Sequence, residues 1–233
     1  MVTAIFPAAG QGKRLGVGKN KILLTLDNTP ILIHTLRRFS ATAAVDNLII
    51  VAAAQEMALI TELLQKYPEL KPWQVVAGGT ERQYSIANGL KKLAPDTELV
   101  LVHDAARPLV NADNITKVIR AAEEYGASVL AVREKNTVKL GQDGFVLRTV
   151  PRENLWEMQT PQCFRRNIIE AAYAKAAADN FLGTDDASLA ERIGAKIALV
   201  EGDYRNIKIT TAEDLLIARA FVEQEQISAP LFL

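Results

Sequence analysis

The stretch Val2-Thr-Ala-Ile-Phe-Pro7-Ala-Ala-Gly10-Gln-Gly-Lys-Arg14 joins a short aliphatic run to a loop of small residues, glycines and cations. The run has the length and composition of a strand that is buried on both faces of a parallel sheet. Glycines let the backbone approach a ligand closely, and exposed N–H groups suit phosphate oxygens. Because open α/β sheets bind nucleotides at the carboxyl ends of their strands, this stretch predicts a nucleotide-binding α/β protein.

The loop matches neither the Gly-x-Gly-x-x-Gly fingerprint in its usual context nor a Walker A loop, in which Ser or Thr follows Gly-Lys. A tight glycine turn with a solvated basic rim is the alternative interpretation. Lys19 and Lys21 add to Lys13 and Arg14, so four of nine consecutive positions are cationic, which favours an anion site.

The rest of the chain alternates strand and helix patterns. Aliphatic runs predict strands at Val2–Phe6, Asn47–Ala53, Gln74–Ala77, Glu98–Val102, Ser128–Val132, Lys196–Val200 and Ile207–Thr210. Amphipathic periodicity predicts helices at Pro30–Phe39, Glu56–Lys66, Arg82–Leu93, Asn111–Tyr125, Arg166–Ala178, Ala187–Ile193 and Thr211–Glu225. Alternating strands and helices predict a three-layer α/β sandwich around a mostly parallel, Rossmann-like sheet. In the absence of a repeat or linker, residues 1–233 are predicted to form a single domain.

Residues 136–160 interrupt this alternation. Two alternating runs, 137–140 and 145–150, flank Asp143-Gly144, which is the signature of a β-hairpin with a tight turn. A two-stranded ribbon is marginally stable by itself in water. From the residues alone, it either folds back on its own domain or projects as an arm onto a second subunit.

Composition excludes several classes of protein. The chain has 233 residues, of which 49% are hydrophobic and 23% charged, as in a globular protein with a core. Lys plus Arg and Asp plus Glu both number 27, so the basic excess of a nucleic-acid-binding protein is missing. One cysteine and two histidines argue against disulfides and zinc sites. Short apolar runs and an N-terminus without a signal-peptide pattern predict no membrane partner and a cytoplasmic location.

Further motifs follow the later strands, so they belong at the same edge of the sheet as the first loop. They are Gly78-Gly-Thr-Glu-Arg82-Gln-Tyr-Ser85, His103-Asp104-Ala-Ala-Arg107-Pro108, Thr160-Pro-Gln162, Gly183-Thr184-Asp185-Asp186 and Asn206-Ile-Lys208. Together with the first loop, and in this order over nearly the whole chain, these motifs resemble the 2-C-methyl-D-erythritol 4-phosphate cytidylyltransferase family of the non-mevalonate isoprenoid pathway.

The resemblance implies the nucleotide-diphospho-sugar transferase type of fold and a CMP transfer from CTP to a polyol phosphate. Implied catalytic residues are Arg14, Lys21 and Lys208. Implied nucleotide-binding residues are Ala8, Ala9, Gly10, Gly79, Thr80, Ser85 and Asp104. Implied acceptor-binding residues are Arg107, Thr137, Arg152, Thr160 and Thr184. Asp104 is also the implied contact of a Mg²⁺ ion held mainly by the triphosphate. The family further implies a homodimer whose arms, carrying Thr137, Arg152 and Thr160, cross to the partner.

The residues leave several alternative interpretations open. Arg82 either orients its loop or pairs with a local carboxylate, and Asp185 and Asp186 are expected to cap the next helix rather than bind metal. A ribitol 5-phosphate cytidylyltransferase shares the fold and mechanism, although Ala8-Ala-Gly10 favours methylerythritol phosphate over the Ala-Gly-Gly of that group. A non-catalytic nucleotide-binding module and a dinucleotide-dependent dehydrogenase are the alternatives from other classes, and the cation-rich loop disfavours the dehydrogenase.

Overall fold

A computed structural model describes residues 1–10 and 20–228. The strands in this part of the chain are Val2–Pro7 (β1), Thr25–Leu26 (β2), Thr29–Pro30 (β3), Asn47–Ala52 (β4), Trp73–Ala77 (β5), Leu99–Val102 (β6), Ala127–Arg133 (β7), Val138–Gln142 (β8), Phe145–Val150 (β9), Trp156–Arg165 (β10) and Ala198–Glu201 (β11). The helices are Ile31–Ser40 (α1), Met57–Gln65 (α2), Arg82–Leu90 (α3), Ala112–Tyr125 (α4), Arg166–Ala178 (α5), Asp186–Arg192 (α6) and Ala212–Ser228 (α7).

Seven strands form one sheet in the order β11-β7-β10-β6-β1-β4-β5. All neighbouring pairs are parallel except those of β10, which runs antiparallel to both β6 and β7. The mostly parallel sheet is therefore confirmed. The interior strand β10 was not predicted, because its run Trp-Glu-Met-Gln-Thr-Pro is too polar to indicate a buried strand.

Alternate side chains of each strand pack into separate cores on the two faces of the sheet. On β1, Phe6 faces the core that is covered by α1, α2 and α4. Its neighbour Ile5 faces the core covered by α3, α5 and α6. Strands buried on both faces are what continuous aliphatic runs predict, so the three-layer sandwich is confirmed.

The predicted strand at Ile207–Thr210 is wrong. This segment joins no sheet; its Ile209 N–H donates at 2.9 Å to the O of Ala106, which lies in the loop after β6. Ile207 and Ile209 alternate because they pack into a small third core beside α1 and α7, not because they lie in a sheet. The bond to Ala106 holds the neighbouring Lys208 at the carboxyl end of β6.

The predicted hairpin is confirmed, but the boundary of the arm needs correction. β8 and β9 form a separate two-stranded sheet whose turn residues Asp143 and Gly144 both have positive φ. Residues 156–160, which we assigned to the arm, instead lie in β10, where residues 156–158 pair with β7. The projecting part therefore comprises β8, β9 and their short connections. No helix in the described ranges is long and apolar enough to cross a bilayer.

Candidate active site

The loops after β1 and β5 meet closely at the carboxyl edge of the sheet. Ala8 N–H donates to Val51 O at 2.8 Å, and Gly78 N–H donates to Ala52 O at 2.7 Å, so both loops continue the sheet pairing. A Cβ on Gly78 would lie 2.8 Å from the Ala9 Cβ, which is closer than side chains approach. Glycine at this position is therefore what lets the two loops come together.

Ser85 closes the second loop over the start of α3. Its Oγ accepts the Gly79 N–H at 3.1 Å and donates to Glu81 O at 3.0 Å. A Cβ on Gly79 would lie 2.6 Å from the Tyr84 Cβ, so a side chain at this position would force the loop to move. Gly79, Thr80 and Ser85 consequently form one compact wall.

Asn20 fixes the position of Lys21. The buried Asn20 side chain donates from Nδ2 to Ala8 O and to Glu56 Oε2, both at 2.8 Å, and caps the short 3₁₀ turn that begins at Lys21. Lys21 is thereby held beside the end of β1. The predicted catalytic residue Arg14 lies outside the described residues, and its role stays a prediction.

Asp104 is the carboxylate on which the cations of the site converge. Lys208 Nζ lies 3.0 Å from its Oδ2, Arg107 Nε 3.3 Å from the same oxygen, and Arg82 Nε 3.6 Å from Oδ1. Burial by itself disfavours the ionised form, but the three cations outweigh it and hold the pKa of Asp104 well below its usual range. Asp104 is therefore ionised at neutral pH and is the common partner of Lys208 and Arg107, with Arg82 at a longer distance.

Thr160 and His103 support Asp104 from below. Thr160 Oγ1 accepts the Asp104 N–H at 3.0 Å and contacts His103 Nδ1 at 3.0 Å, while His103 Nε2 contacts Arg107 O at 3.1 Å. The carbonyl only accepts, so Nε2 carries the proton and Nδ1 accepts from Thr160. Thr160 reaches this position because the pairing of β10 with β7 shifts between Met158 and Gln162. The prediction that Thr160 lies on the arm is wrong.

Arg82 pairs with carboxylates, as one of its two interpretations predicted. Its Nη2 lies 2.8 Å from Asp186 Oδ2, in addition to the longer contact with Asp104. Asp186 also accepts the Tyr173 hydroxyl at 2.5 Å. Asp185, as expected, caps α6 by accepting the Ser188 N–H. Asp186 does not cap that helix.

These elements border an open cleft of about 200 Å³ at the carboxyl edge of the sheet. The predicted site residues that line it are Ala8, Ala9, Gly10, Lys21, Gly79, Thr80, Ser85, Asp104 and Lys208. Asn20, Glu81 and Arg82 complete its polar lining. Small backbone-rich loops and converging cations suit a polyanionic nucleotide.

The remaining predicted residues do not line this cleft. Arg107 is mostly buried, and its Nη1 donates to Asn206 O at 2.7 Å, so it braces the cleft from behind. Thr184 is exposed in a smaller neighbouring pocket on the far side of Arg82. Thr137 and Arg152 are exposed at the base of the hairpin, just before β8 and just after β9. The Arg152 guanidinium donates a hydrogen bond to Lys135 O.

Sequence reasoning missed Asn20 and the partner of Arg82. Asn20 could have been found from the sequence, because Asn is a preferred residue at the position that caps a helical turn. Asp186 gave no such signal, because it contacts Arg82 across 104 residues of sequence.

The described residues contain no cluster of three or more His, Cys, Asp or Glu that could hold a metal ion. Asp104 contributes one carboxylate to the cleft, and its oxygens already contact cations. This donor set fits an ion that is held mainly by ligand phosphates and water, and does not fit a cage built from protein groups.

Comparisons with known proteins identify the family of the chain. The family model described as IspD, 2-C-methyl-D-erythritol 4-phosphate cytidylyltransferase, matches residues 2–224. A Bacillus cereus protein of that name is 50% identical over 97% of this chain and 100% of its own length, and one from Bacillus licheniformis is 45% identical over 95% and 96%.

Solved structures agree with the fold. The 4-diphosphocytidyl-2C-methyl-D-erythritol synthase of Anaerococcus prevotii superposes with a TM-score of 0.86 at 34% identity and covers 96% of both chains. The Thermus thermophilus 2-C-methyl-D-erythritol 4-phosphate cytidylyltransferase gives a TM-score of 0.79 at 30% identity, covering 95% of this chain and 98% of its own. The chain therefore belongs to the 2-C-methyl-D-erythritol 4-phosphate cytidylyltransferase family.

Proposed function

We propose that the chain transfers CMP from CTP to 2-C-methyl-D-erythritol 4-phosphate, releasing pyrophosphate and 4-diphosphocytidyl-2-C-methyl-D-erythritol. Full-length membership of the family supports this reaction. The observation that carries it is the cleft, in which glycine- and alanine-rich loops meet Lys21, Arg82 and Lys208 at the carboxyl edge of the sheet.

The reaction requires charge stabilisation more than acid–base chemistry. An oxygen of the acceptor phosphate attacks the α-phosphorus of CTP, and the bond from that phosphorus to the β-phosphate oxygen breaks, so pyrophosphate leaves with the electron pair. The acceptor phosphate is already ionised and needs no base. Lys21 and Lys208, with Arg14, are proposed to stabilise the charge that develops on the α-phosphate, because transfer of this kind depends on positioning and electrostatics.

The nucleotide is proposed to lie along Ala8, Ala9 and Gly10, with its base against the wall formed by Gly79, Thr80 and Ser85. Backbone N–H and C=O groups of these loops would read the cytosine edge, since small side chains leave the backbone accessible. A divalent ion such as Mg²⁺, contacted by Asp104, would neutralise triphosphate charge and assist the departure of pyrophosphate.

The hairpin is proposed to pack on a second copy of the chain. Its side chains Leu140, Phe145, Val146 and Leu147 are exposed, Phe145 by 78%. At its base, Arg133 stacks on Trp156 and Lys135 on Tyr204, so the hairpin is anchored at one end only. An apolar ribbon with no cover of its own needs a partner. Crossing would bring Thr137 and Arg152 to the acceptor site of the partner, which Thr184 is proposed to complete.

Pyrophosphate release with CTP and each candidate acceptor tests the activity. Turnover with methylerythritol phosphate is expected, whereas turnover with ribitol 5-phosphate alone would contradict the proposed acceptor. CTP binding without pyrophosphate release in the presence of either acceptor would indicate a non-catalytic nucleotide-binding module.

Mixing two inactive variants, Arg152→Ala and Lys208→Ala, tests the shared site. Heterodimers should regain activity, because one of their two sites would combine an intact arm with an intact Lys208. With subunit exchange demonstrated, a mixture that stays inactive would place the arm back on its own subunit.

A cytoplasmic location stays a prediction.

A further inference from the structure

Three side chains in a hydrogen-bonded row connect the buried Tyr173 and Asp186 to Arg82, which is partly exposed at the wall of the cleft. Tyr173 donates its hydroxyl to Asp186 Oδ1 at 2.5 Å, and Arg82 donates from Nη2 to Asp186 Oδ2 at 2.8 Å. Arg82 then lines the cleft itself, while Asp186 and Tyr173 do not. The three residues come from α3, α5 and α6, so their meeting is a product of the tertiary fold.

Asp186 is a costly residue to bury. Its side chain has no exposed surface, and an ionised carboxylate in such a place requires full pairing. Each oxygen has one donor, the phenol on one side and the guanidinium on the other. Burial and the neighbouring Asp186 raise the pKa of Tyr173 well above its ordinary value, so the phenol keeps the proton that it donates.

The contacts of Arg82 are unequal. Its guanidinium forms a hydrogen bond with Asp186, whereas its distance to Asp104 is 3.6 Å. Lys208 meanwhile lies 3.0 Å from Asp104. Asp186 therefore draws Arg82 away from Asp104. Without the charge of Asp186, Arg82 would move onto Asp104, the other carboxylate within reach, and compete there with Lys208.

We propose that Asp186, oriented by Tyr173, is a positioning residue that holds Arg82 at the wall of the CTP cleft and keeps Asp104 available to Lys208. This inference rests on the proposed cytidylyltransferase activity. It assigns Asp186 and Tyr173 no contact with substrate, because both act through Arg82.

A double-mutant cycle tests the proposal on the full-length enzyme with CTP and methylerythritol phosphate. Asp186→Asn should lower kcat/KM for CTP on the order of tenfold, mainly through KM, because a preorganised cation attracts the triphosphate in the ground state and the transition state alike. In an Arg82→Gln background the same substitution should have no further effect, since its route to the cleft is already gone.

Asp179→Asn is the matched control. It makes the same chemical change at another carboxylate that pairs with an arginine, because Asp179 Oδ2 lies 2.7 Å from Arg192 Nη2, but Asp179 does not line the cleft. Its kcat and KM should stay at wild-type values. Tyr173→Phe removes the other donor of Asp186 and should lower kcat/KM for CTP about threefold, again only while Arg82 is present.

The outcomes separate a positioning role from a structural one. A folded Asp186→Asn protein with a lower melting temperature and unchanged kcat/KM would overturn the proposal, as would an effect that persists in the Arg82→Gln background. If Asp186→Asn does not fold, Tyr173→Phe is compared in the wild-type and Arg82→Gln backgrounds instead. An unchanged kcat/KM, or a loss that persists without Arg82, would again overturn the proposal. A wild-type enzyme without turnover would instead contradict the proposed function.

Discussion

Replacing His103 with glutamine should remove much of the loss of stability that the protein suffers on mild acidification. His103 is fully buried between Phe6 and Phe39, and burial lowers its pKa to about 3 from the ordinary 6.5. Nearby Asp104 favours the proton and Arg107 opposes it, but desolvation dominates. Protonated Nδ1 would also leave the Thr160 hydroxyl without its acceptor.

The sign and the size follow from proton linkage. The unfolded chain takes up a proton below pH 6.5 and the folded chain does not until about pH 3, so the stabilisation is complete above 6.5 and is lost as pH falls. Between about pH 7.5 and 5.5 the unfolded histidine is on average about half protonated, so each of these two pH units lowers the free energy of unfolding on average by about half of 1.4 kcal/mol. His103 therefore contributes about 1.4 kcal/mol to the fall in the free energy of unfolding over this interval.

Urea unfolding, followed by tryptophan fluorescence at fixed protomer concentration, measures the effect at the two pH values. Wild type should lose about 1.4 kcal/mol more than His103→Gln, because glutamine does not titrate and its Nε2 can still donate to Arg107 O. His34→Gln is the matched control, since His34 is the other histidine in the chain and its pKa is also lowered by burial. His34→Gln should leave unchanged the contribution of His103 to the fall in the free energy of unfolding between the two pH values.

Equal pH dependence in wild type and His103→Gln would refute the reasoning. It would mean that His103 is not held neutral in the folded state, and that the assigned tautomer and the support of Asp104 through Thr160 are wrong. Titrating carboxylates cannot produce the expected difference, because they are the same in both proteins.

Three further predictions concern the cleft and the arm. Lys21→Ala should lower kcat by ~10²–10³-fold with little change in the KM for the acceptor, as measured by steady-state pyrophosphate release, and an undiminished kcat would remove Lys21 from the proposed mechanism. Gly79→Ala should raise the KM for CTP and destabilise the fold by about 1–3 kcal/mol, because the new methyl group meets the Tyr84 Cβ; wild-type values in calorimetry and kinetics would contradict this. Phe145→Asp should shift the protein to a monomer in sedimentation experiments while its circular dichroism is unchanged, and a persisting dimer would show that the hairpin is not the contact.

Periodicity was enough to predict most of the sheet and the helices. β1, β4 and β6 are aliphatic runs buried on both faces, and the Asp143-Gly144 pair is a turn signal that acts over two residues. β10 was missed because a polar strand whose pairing is irregular has no local pattern. The strand predicted at Ile207–Thr210 was wrong for the opposite reason, because a local pattern was present without a strand. Alternating apolar residues indicate that every second side chain is buried, but not whether a sheet buries it.

The site shows the same division. The motifs after β1, β5 and β6 predicted correctly that Gly10, Gly79 and Asp104 would share one edge, because strand ends in a parallel sheet meet there. Local sequence did not reveal that Thr160 lies beneath Asp104 or that Arg107 is turned inward towards Asn206.

The sequence alone determined the α/β sandwich, the glycine-rich loops at its carboxyl edge and the family, because each of these depends on patterns within a few neighbouring residues or on motifs in a fixed order. The tertiary structure decided which charges meet. Arg82 pairs with Asp186 and Arg107 donates to the backbone oxygen of Asn206, about a hundred residues away in each case, and Lys208 is brought to Asp104 by a non-strand segment. Pairing of buried charges is set by distance and desolvation in three dimensions, and neither quantity can be read from spacing along the chain.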